Sequence, residues 1–330
     1  MLLSVIAALT TVYIRARYER IAAHRAVVEE RWAPLLLDVL DGDLSPDTLA
    51  MELAPGDLPY FTDFVGRFVR RLAGPEQERL VALAHPLLPE LRRALRVRSP
   101  ERRAVAVDTL GLLAPSAGSE DLLAALDDPS PLVAMVAARA LTRSGRVDHV
   151  DRLLSRLARF QDWRPSYLAA MLTALGPSAV PALLHAFADG ETPVRVRIVA
   201  AEALSRLNAA VAADTAAAIL GTPGDPELGA AALRLLARVG HDVHLPVIRT
   251  ALSSEAKSMR LAAAKALASL GDDREIPLLV RALDDPSRWV AEQAARGLLV
   301  LNGRPHLEKL AASRSLRTSI AIEVLGDLPK

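Results

Sequence analysis

The sequence predicts an all-α chain whose helical hairpins stack one on the next as an open solenoid, and three observations carry that prediction. Of the 330 residues, 51% are hydrophobic but only 4% aromatic. The apolar mass is Ala, Leu and Val set among Arg and Glu, a composition that favours helix over strand. From residue 99 onward one order recurs: a turn holding Pro or Asp-Pro, an Ala-rich amphipathic helix ending on Leu, a short break, then a second, Leu-rich helix. The terminal leucines Leu110, Leu141, Leu175, Leu204, Leu236, Leu267 and Leu298 stand 31, 34, 29, 32, 31 and 31 residues apart. Four positions before them come Ala106, Ala137, Met171, Ala200, Ala232, Ala263 and Ala294, six of the seven alanine. A small side chain at that place lets neighbouring backbones approach, and a held period is the mark of repeats that cover one another's apolar faces.

Residues 2–14, LLSVIAALTTVYI, form an uncharged apolar run followed by Arg15, Arg17, Arg20 and Arg25. A cleaved signal peptide needs a basic region before the apolar one and a small-residue cleavage site after it, and neither is present. An ordinary buried helix remains open, because thirteen residues reach only roughly 20 Å against a hydrocarbon core of roughly 30 Å. The preferred reading is a short membrane anchor at 1–14 whose arginine flank stays in the cytoplasm. Residues 15–43 then read as a helical stalk, with Ile21, Val28, Trp32, Leu35, Leu36 and Val39 on one apolar stripe and a kink at Pro34.

Residues 44–98 read as a helical adaptor. Ser45-Pro46-Asp47 is an N-cap followed by a first-turn proline, and after Pro55-Gly56 a helix starts near Leu58, with Phe61, Phe64, Val65, Phe68, Val69 and Leu72 at helical spacing. Gly74-Pro75 ends it, and two shorter helices follow, divided at His85-Pro86. Residues 99–330 are the repeat solenoid, closed by an atypical cap helix from about Arg314 to Leu325 that repeats the spacing with Ala321.

Asp128-Pro129-Ser130-Pro131-Leu132-Val133 leading to Ala137-Ala138-Arg139-Ala140-Leu141, and Pro193-Val194-Arg195-Val196-Arg197 leading to Ala200-Ala201-Glu202-Ala203-Leu204, carry a family resemblance, as does the run from Leu278 to Pro286. In these stretches the chain resembles HEAT-repeat proteins, in particular the bacterial repeats related to phycobilin lyases, over roughly residues 99–325. The resemblance implies a right-handed superhelix whose second helices line a concave face that holds a protein partner. It also implies an arginine seven before each anchor leucine; Arg103, Arg197 and Arg260 match, while Ala134, Leu168, Gly229 and Ala291 do not. The layout of anchor, arginine-rich stalk and repeats is similar to a set of bacterial proteins at the inner membrane, which implies a membrane partner such as a glycosyltransferase or envelope-assembly factor.

Enzymatic chemistry finds little support. HEAT-type metal hydroxylases use paired His-Glu dipeptides, but none of the seven histidines here precedes a glutamate. His241 and His244 flank Asp242 in a turn and read as solvated loop histidines rather than ligands. The pairs Asp127-Asp128, Asp272-Asp273 and Asp284-Asp285 recur at equivalent turns and read as caps or Asx turns, not as acid and base. A HEAT-like DNA glycosylase wants a basic groove with aromatics. The net charge of +1, from 40 basic and 39 acidic residues, and the scattered Trp32, Trp163 and Trp289 argue against it and against nucleic acid generally. A bilin lyase has only the repeat type in its favour. Zero cysteines exclude disulfides, thiolate metal sites and a cysteine nucleophile.

One charge cluster stands out, Arg92, Arg93, Arg96, Arg98, Arg102 and Arg103, against Glu90 and Glu101. It is a candidate contact for lipid headgroups or an acidic partner, or a solvated helix face. The reading that emerges is a membrane-tethered cytoplasmic scaffold binding a protein partner, with no enzymatic activity, cofactor, metal or nucleic-acid partner expected; a HEAT-like enzyme of bilin-lyase or DNA-glycosylase type is the alternative.

Overall fold

The computed structural model describes residues 2–54, 56–69, 71–72, 74–114, 117–145, 147–313 and 317–326, with the side chains of 2–10, 13, 77 and 84 outside that description. Among the described residues there are α-helices and short 3-10 turns and no strand. The chain divides into two compact units, Met1–Ser144 and Gly145–Lys330.

The first unit opens with α1 (Leu2–Asp41), a 40-residue helix that continues without a break through Pro34. The proline lies on the exposed side, while Val28, Trp32, Leu36 and Val39 of the same helix are buried. Packing on both sides of the ring holds the helix together where a missing N–H would otherwise open it. Within residues 15–43 the stripe of α1 packs into a core built with α2 (Pro46–Met51), α3 (Leu58–Val69) and α4 (Pro75–Ala82). Trp32 has no exposed surface and meets Phe61 edge-on, ring centroids 5.4 Å apart. Glu29 on α1 is held by Arg25 at 2.7 Å and by Arg67 of α3 at 2.5 Å, and His24 meets Asp57 at 2.8 Å. Between residues 11 and 23 the large apolar side chains that the structure describes, Val12, Ile14, Tyr18 and Ile21, are exposed. Among the described residues no single helix is long and apolar enough to cross a membrane. Most side chains of the anchor segment 1–14 lie outside the description.

The helix α5 (Ala84–Ala94) begins before His85-Pro86 rather than after it. A proline in the first turn gives up an N–H that has no partner anyway. The repeats follow: α6 (Pro100–Leu113), α7 (Ser119–Ala125) and α8 (Pro131–Arg143) complete the first unit. The second unit holds α9 (Val150–Leu157), α10 (Pro165–Thr173), α11 (Val180–Ala188), α12 (Val194–Arg206), α13 (Ala213–Leu220), α14 (Pro226–Val239), α15 (Leu245–Ala251), α16 (Lys257–Leu270), α17 (Ile276–Ala282), α18 (Arg288–Val300), α19 (Arg304–Ala311) and α20 (Thr318–Gly326).

Even-numbered helices from α6 on are the Ala-rich ones, and each packs on the next: α6 on α8 in the first unit, and α10, α12, α14, α16, α18 and α20 in series in the second. All seven anchor leucines and all seven residues four before them are buried. Gly111 shows how close the helices come, since a Cβ there would lie 2.3 Å from the Cβ of Ala140 on α8. α20 buries Ile320, Ala321 and Val324 against α18, in the place of a further repeat helix; residues 314–316 of the expected cap lie outside the description.

Two arginines seven before the anchors make equivalent clamps. Arg103 donates through Nε and a terminal nitrogen to the Asp128 carboxylate, both at 2.8 Å, and to the carbonyls of Val97 and Arg98. Arg260 repeats this on Asp285 at 2.6 and 3.1 Å and on the carbonyls of Ser254 and Glu255. In each case the aspartate also accepts the backbone N–H two residues on, Ser130 or Ser287, at 2.8 Å, which makes it an Asx turn as the sequence suggests. Arg197 has Thr222 where the others have aspartate 25 residues on, and donates instead to the Phe187 carbonyl at 3.0 Å.

His244 departs from the loop-histidine expectation. It is 4% exposed, its Nδ1 accepts the His241 N–H at 3.0 Å, and its Nε2 lies 3.1 Å from Asp214 Oδ1. Accepting at Nδ1 places the ring proton on Nε2, so the imidazole caps a 3-10 turn and ties it to α13.

Candidate binding groove

The Ala-rich helices of the second unit bury a stripe on one side and leave polar residues on the other. The residues two before and two after each anchor leucine fall on that outer face: Glu202 and Arg206 around Leu204, Arg234 and Arg238 around Leu236, Lys265 and Ser269 around Leu267. Neighbouring helices packed through alanine stand close, so these short rows meet across a trough. Thr173, Glu202, Ser205, Arg206, Arg234, Arg238, Lys265 and Ser269 line a groove of about 890 Å³ whose floor includes Ala170, Ala231 and Ala237. Every lining residue belongs to α10, α12, α14 or α16. The resemblance places the second, Leu-rich helices at the binding face, and smaller grooves do lie on them, as at Leu154, Ser155, Ala182 and His185, but this groove belongs to the Ala-rich helices. The Leu-rich helices are shorter, whereas the Ala-rich ones lie side by side and present an uninterrupted surface.

The groove is positive although the chain as a whole is nearly neutral, with four cations, Arg206, Arg234, Arg238 and Lys265, against one carboxylate, Glu202. Glu202 and Arg234 form a loose pair at 3.3 Å. Arg238 is steered by Asn208, whose side-chain oxygen accepts from Nε at 2.7 Å. Asn208 ends α12 in the left-handed region at φ 53°, where asparagine is among the few tolerated residues, and the Ala209 N–H returns to the Leu204 carbonyl at 3.0 Å. The turn that stops one helix thus aims a cation on the next. Arg206, Arg238 and Lys265 are exposed. The places four and seven before each anchor carry the packing signal, whereas this charge sits two places on either side, where the residue type varies from repeat to repeat.

The arginine cluster of the first unit is partly consumed by the fold. Arg92 meets Asp121 at 2.9 Å, Arg93 meets Glu90 at 2.7 Å, and Arg103 is the clamp on Asp128. Arg96, Arg98 and Arg102 are exposed, and Arg93 and Arg102 rim an apolar groove of about 260 Å³ floored by Leu58, Pro59, Ala94, Val97 and Val105. Among the described residues no group of three or more His, Cys, Asp or Glu is placed to hold a metal.

Residues 217–299 match the family model described as HEAT repeats. No curated protein matches the chain in sequence. Similar solved structures include an engineered protein, 17% identical over 92% of this chain and 95% of that one with a TM-score of 0.42. They also include the complex of CpcE and CpcF of phycocyanin lyase from Nostoc sp., at 22% identity, 72% and 86% coverage and TM-score 0.35. Importin beta is a third, at 14% identity, covering 91% of this chain and 50% of that one with TM-score 0.47.

Proposed function

We propose that this stack of HEAT-like hairpins is a scaffold that binds a protein partner along the groove over α10, α12, α14 and α16, acting by binding rather than by catalysis. The observation that carries the reading is the form of the groove, a long open trough contributed by four consecutive repeats. An extended surface built one repeat at a time suits a polypeptide better than a small molecule, which is held by concave and mostly apolar pockets. A tether at residues 1–14, with the repeats in the cytoplasm and a membrane protein as partner, is the second part of the proposal. It rests on the uncharged run 2–14 and the arginines after it, and tethering would let a modest affinity suffice.

Photo-crosslinking in cells tests the first part, with the reactive residue at Ser205 or Ala237 and, as control, at Val211 or Val243, which are exposed outside the groove. Discrete adducts from the groove positions alone are expected, and equal or absent adducts would refute it. For the tether, the full chain should sediment with membranes and a chain lacking residues 1–14 should not; unchanged sedimentation removes that part alone.

A further inference from the structure

We infer that the groove takes an acidic, extended segment of the partner with a carboxylate at every third residue. This deepens the scaffold reading and rests on it. The charge is complementary: four cations converge on a trough holding a single carboxylate, in a chain whose total is only +1. That concentration of charge follows from the two positions per repeat: Arg or Lys fills four of the six on α12, α14 and α16, so cations recur from helix to helix at the spacing of the helices. Packed helices stand roughly 8–10 Å apart. A polyproline II segment advances about 3.1 Å per residue with three residues per turn, so side chains at i, i+3 and i+6 project from one side about 9 Å apart. The two spacings agree. Arg206 on α12, Arg234 or Arg238 on α14 and Lys265 on α16 can then meet the carboxylates at i, i+3 and i+6, while the alanines at Ala170, Ala231 and Ala237 leave room for the backbone.

Nucleic acid fits less well. Single strands bind proteins through aromatic stacking platforms as much as through charge, and the groove lining contains no aromatic side chain. Glu202 further sets a carboxylate into the line a phosphate backbone would follow, whereas spaced carboxylates with neutral residues between them can straddle it.

The test is fluorescence anisotropy with the full chain and a labelled (Glu-Pro-Pro)4 peptide, beside (Gln-Pro-Pro)4, a twelve-residue oligothymidine and vesicles of anionic lipid. The glutamate peptide is expected to bind, and to weaken steeply from 0.05 M salt to 0.5 M as the screening length shortens. The glutamine peptide should not bind. Arg234→Glu with Arg238→Glu should weaken the glutamate peptide at least about tenfold, while Arg96→Glu with Arg98→Glu in the first unit should leave it unchanged. Because Arg234 touches Glu202, the milder pair Arg238→Gln and Lys265→Gln, both at exposed positions, is read alongside circular dichroism and should weaken binding about threefold. No binding of the glutamate peptide, indifference to both groove variants, or tighter binding of oligothymidine or vesicles would overturn the inference. If the peptide fails while groove crosslinks still capture a partner, the scaffold reading stands and the acidic segment falls.

Discussion

Replacing Asp285 by alanine tests how the repeats are locked together. Arg260 and Asp285 have side chains only 14% and 8% exposed, joined by two hydrogen bonds of 2.6 and 3.1 Å. Burial works to raise the Asp285 pKa, but the bonds from Arg260 and the Ser287 amide, with the charges of Arg260 and Arg317, hold it below the ordinary value. Removing the carboxylate strands a guanidinium whose remaining acceptors are the carbonyls of Ser254 and Glu255. Breaking a buried pair from one side costs about 3–5 kcal/mol. The two carbonyls keep Arg260 partly satisfied, so Asp285→Ala should cost about 3 kcal/mol, at the low end of that range. Arg260→Met should cost about 2 kcal/mol, because the Ser287 amide still serves the aspartate. The double variant should cost no more than about 3 kcal/mol, a coupling near 2 kcal/mol, since neither charge is then left alone.

Urea unfolding followed by circular dichroism measures all three, as a shift in midpoint at unchanged slope. The pH dependence supplies an internal check. A carboxyl whose folded pKa is depressed contributes stability present above its unfolded value of about 3.9, and lost as pH falls through the folded one. The gap between wild type and Asp285→Ala should therefore close in strongly acidic solution. Additive single costs, or a gap that persists at low pH, would refute the clamp as an energetic unit.

Three further outcomes follow from single sites. The Asp272 carboxyl, bonded by the Arg274 guanidinium and amide, should titrate at about 2 and rise in Arg274→Ala while staying below the ordinary carboxylate value, because the amide remains, as read by NMR of the carboxyl carbon. Trp32→Ala should cost about 3–5 kcal/mol and abolish much of the near-ultraviolet circular dichroism of the first unit, because the indole is wholly enclosed by the Phe61 and Phe64 rings and their neighbours. Gly111→Val should destabilise the first unit by about 1–3 kcal/mol, measured by thermal unfolding, since even a first carbon meets Ala140 at 2.3 Å.

The stacked helices were readable because two residue types recur in phase: Leu204, Leu236 and Leu267 with Ala200, Ala232 and Ala263 are buried as their spacing required. Trp32 and Leu36 were readable as a stripe, but not what they face, since Phe61 lies twenty-nine residues away and contact at that separation leaves no local trace. The burial of His244 leaves no local trace for a related reason. A histidine in a turn usually meets water, and only the fold brings Asp214 and the His241 amide to its ring. The groove was hidden differently, because net charge averages over the molecule while a binding face depends on which positions share a side. Arg206, Arg234, Arg238 and Lys265 disappear into a total of +1.

The clamp occupies some repeats and not others, and the stack tolerates this. Where α14 offers Gly229 in place of arginine, the Met259 sulfur of α16 stands 2.4 Å from where a Cβ would be, so a thioether has moved into the vacant room. Each Ala-rich helix answers chiefly to the helices beside it, so a replacement there needs agreement only from adjoining repeats. Sequence drift in such a chain is settled locally. One hairpin can exchange an ion pair for a greasy plug, or change the charge it shows on its outer side, while distant hairpins keep the choices they had.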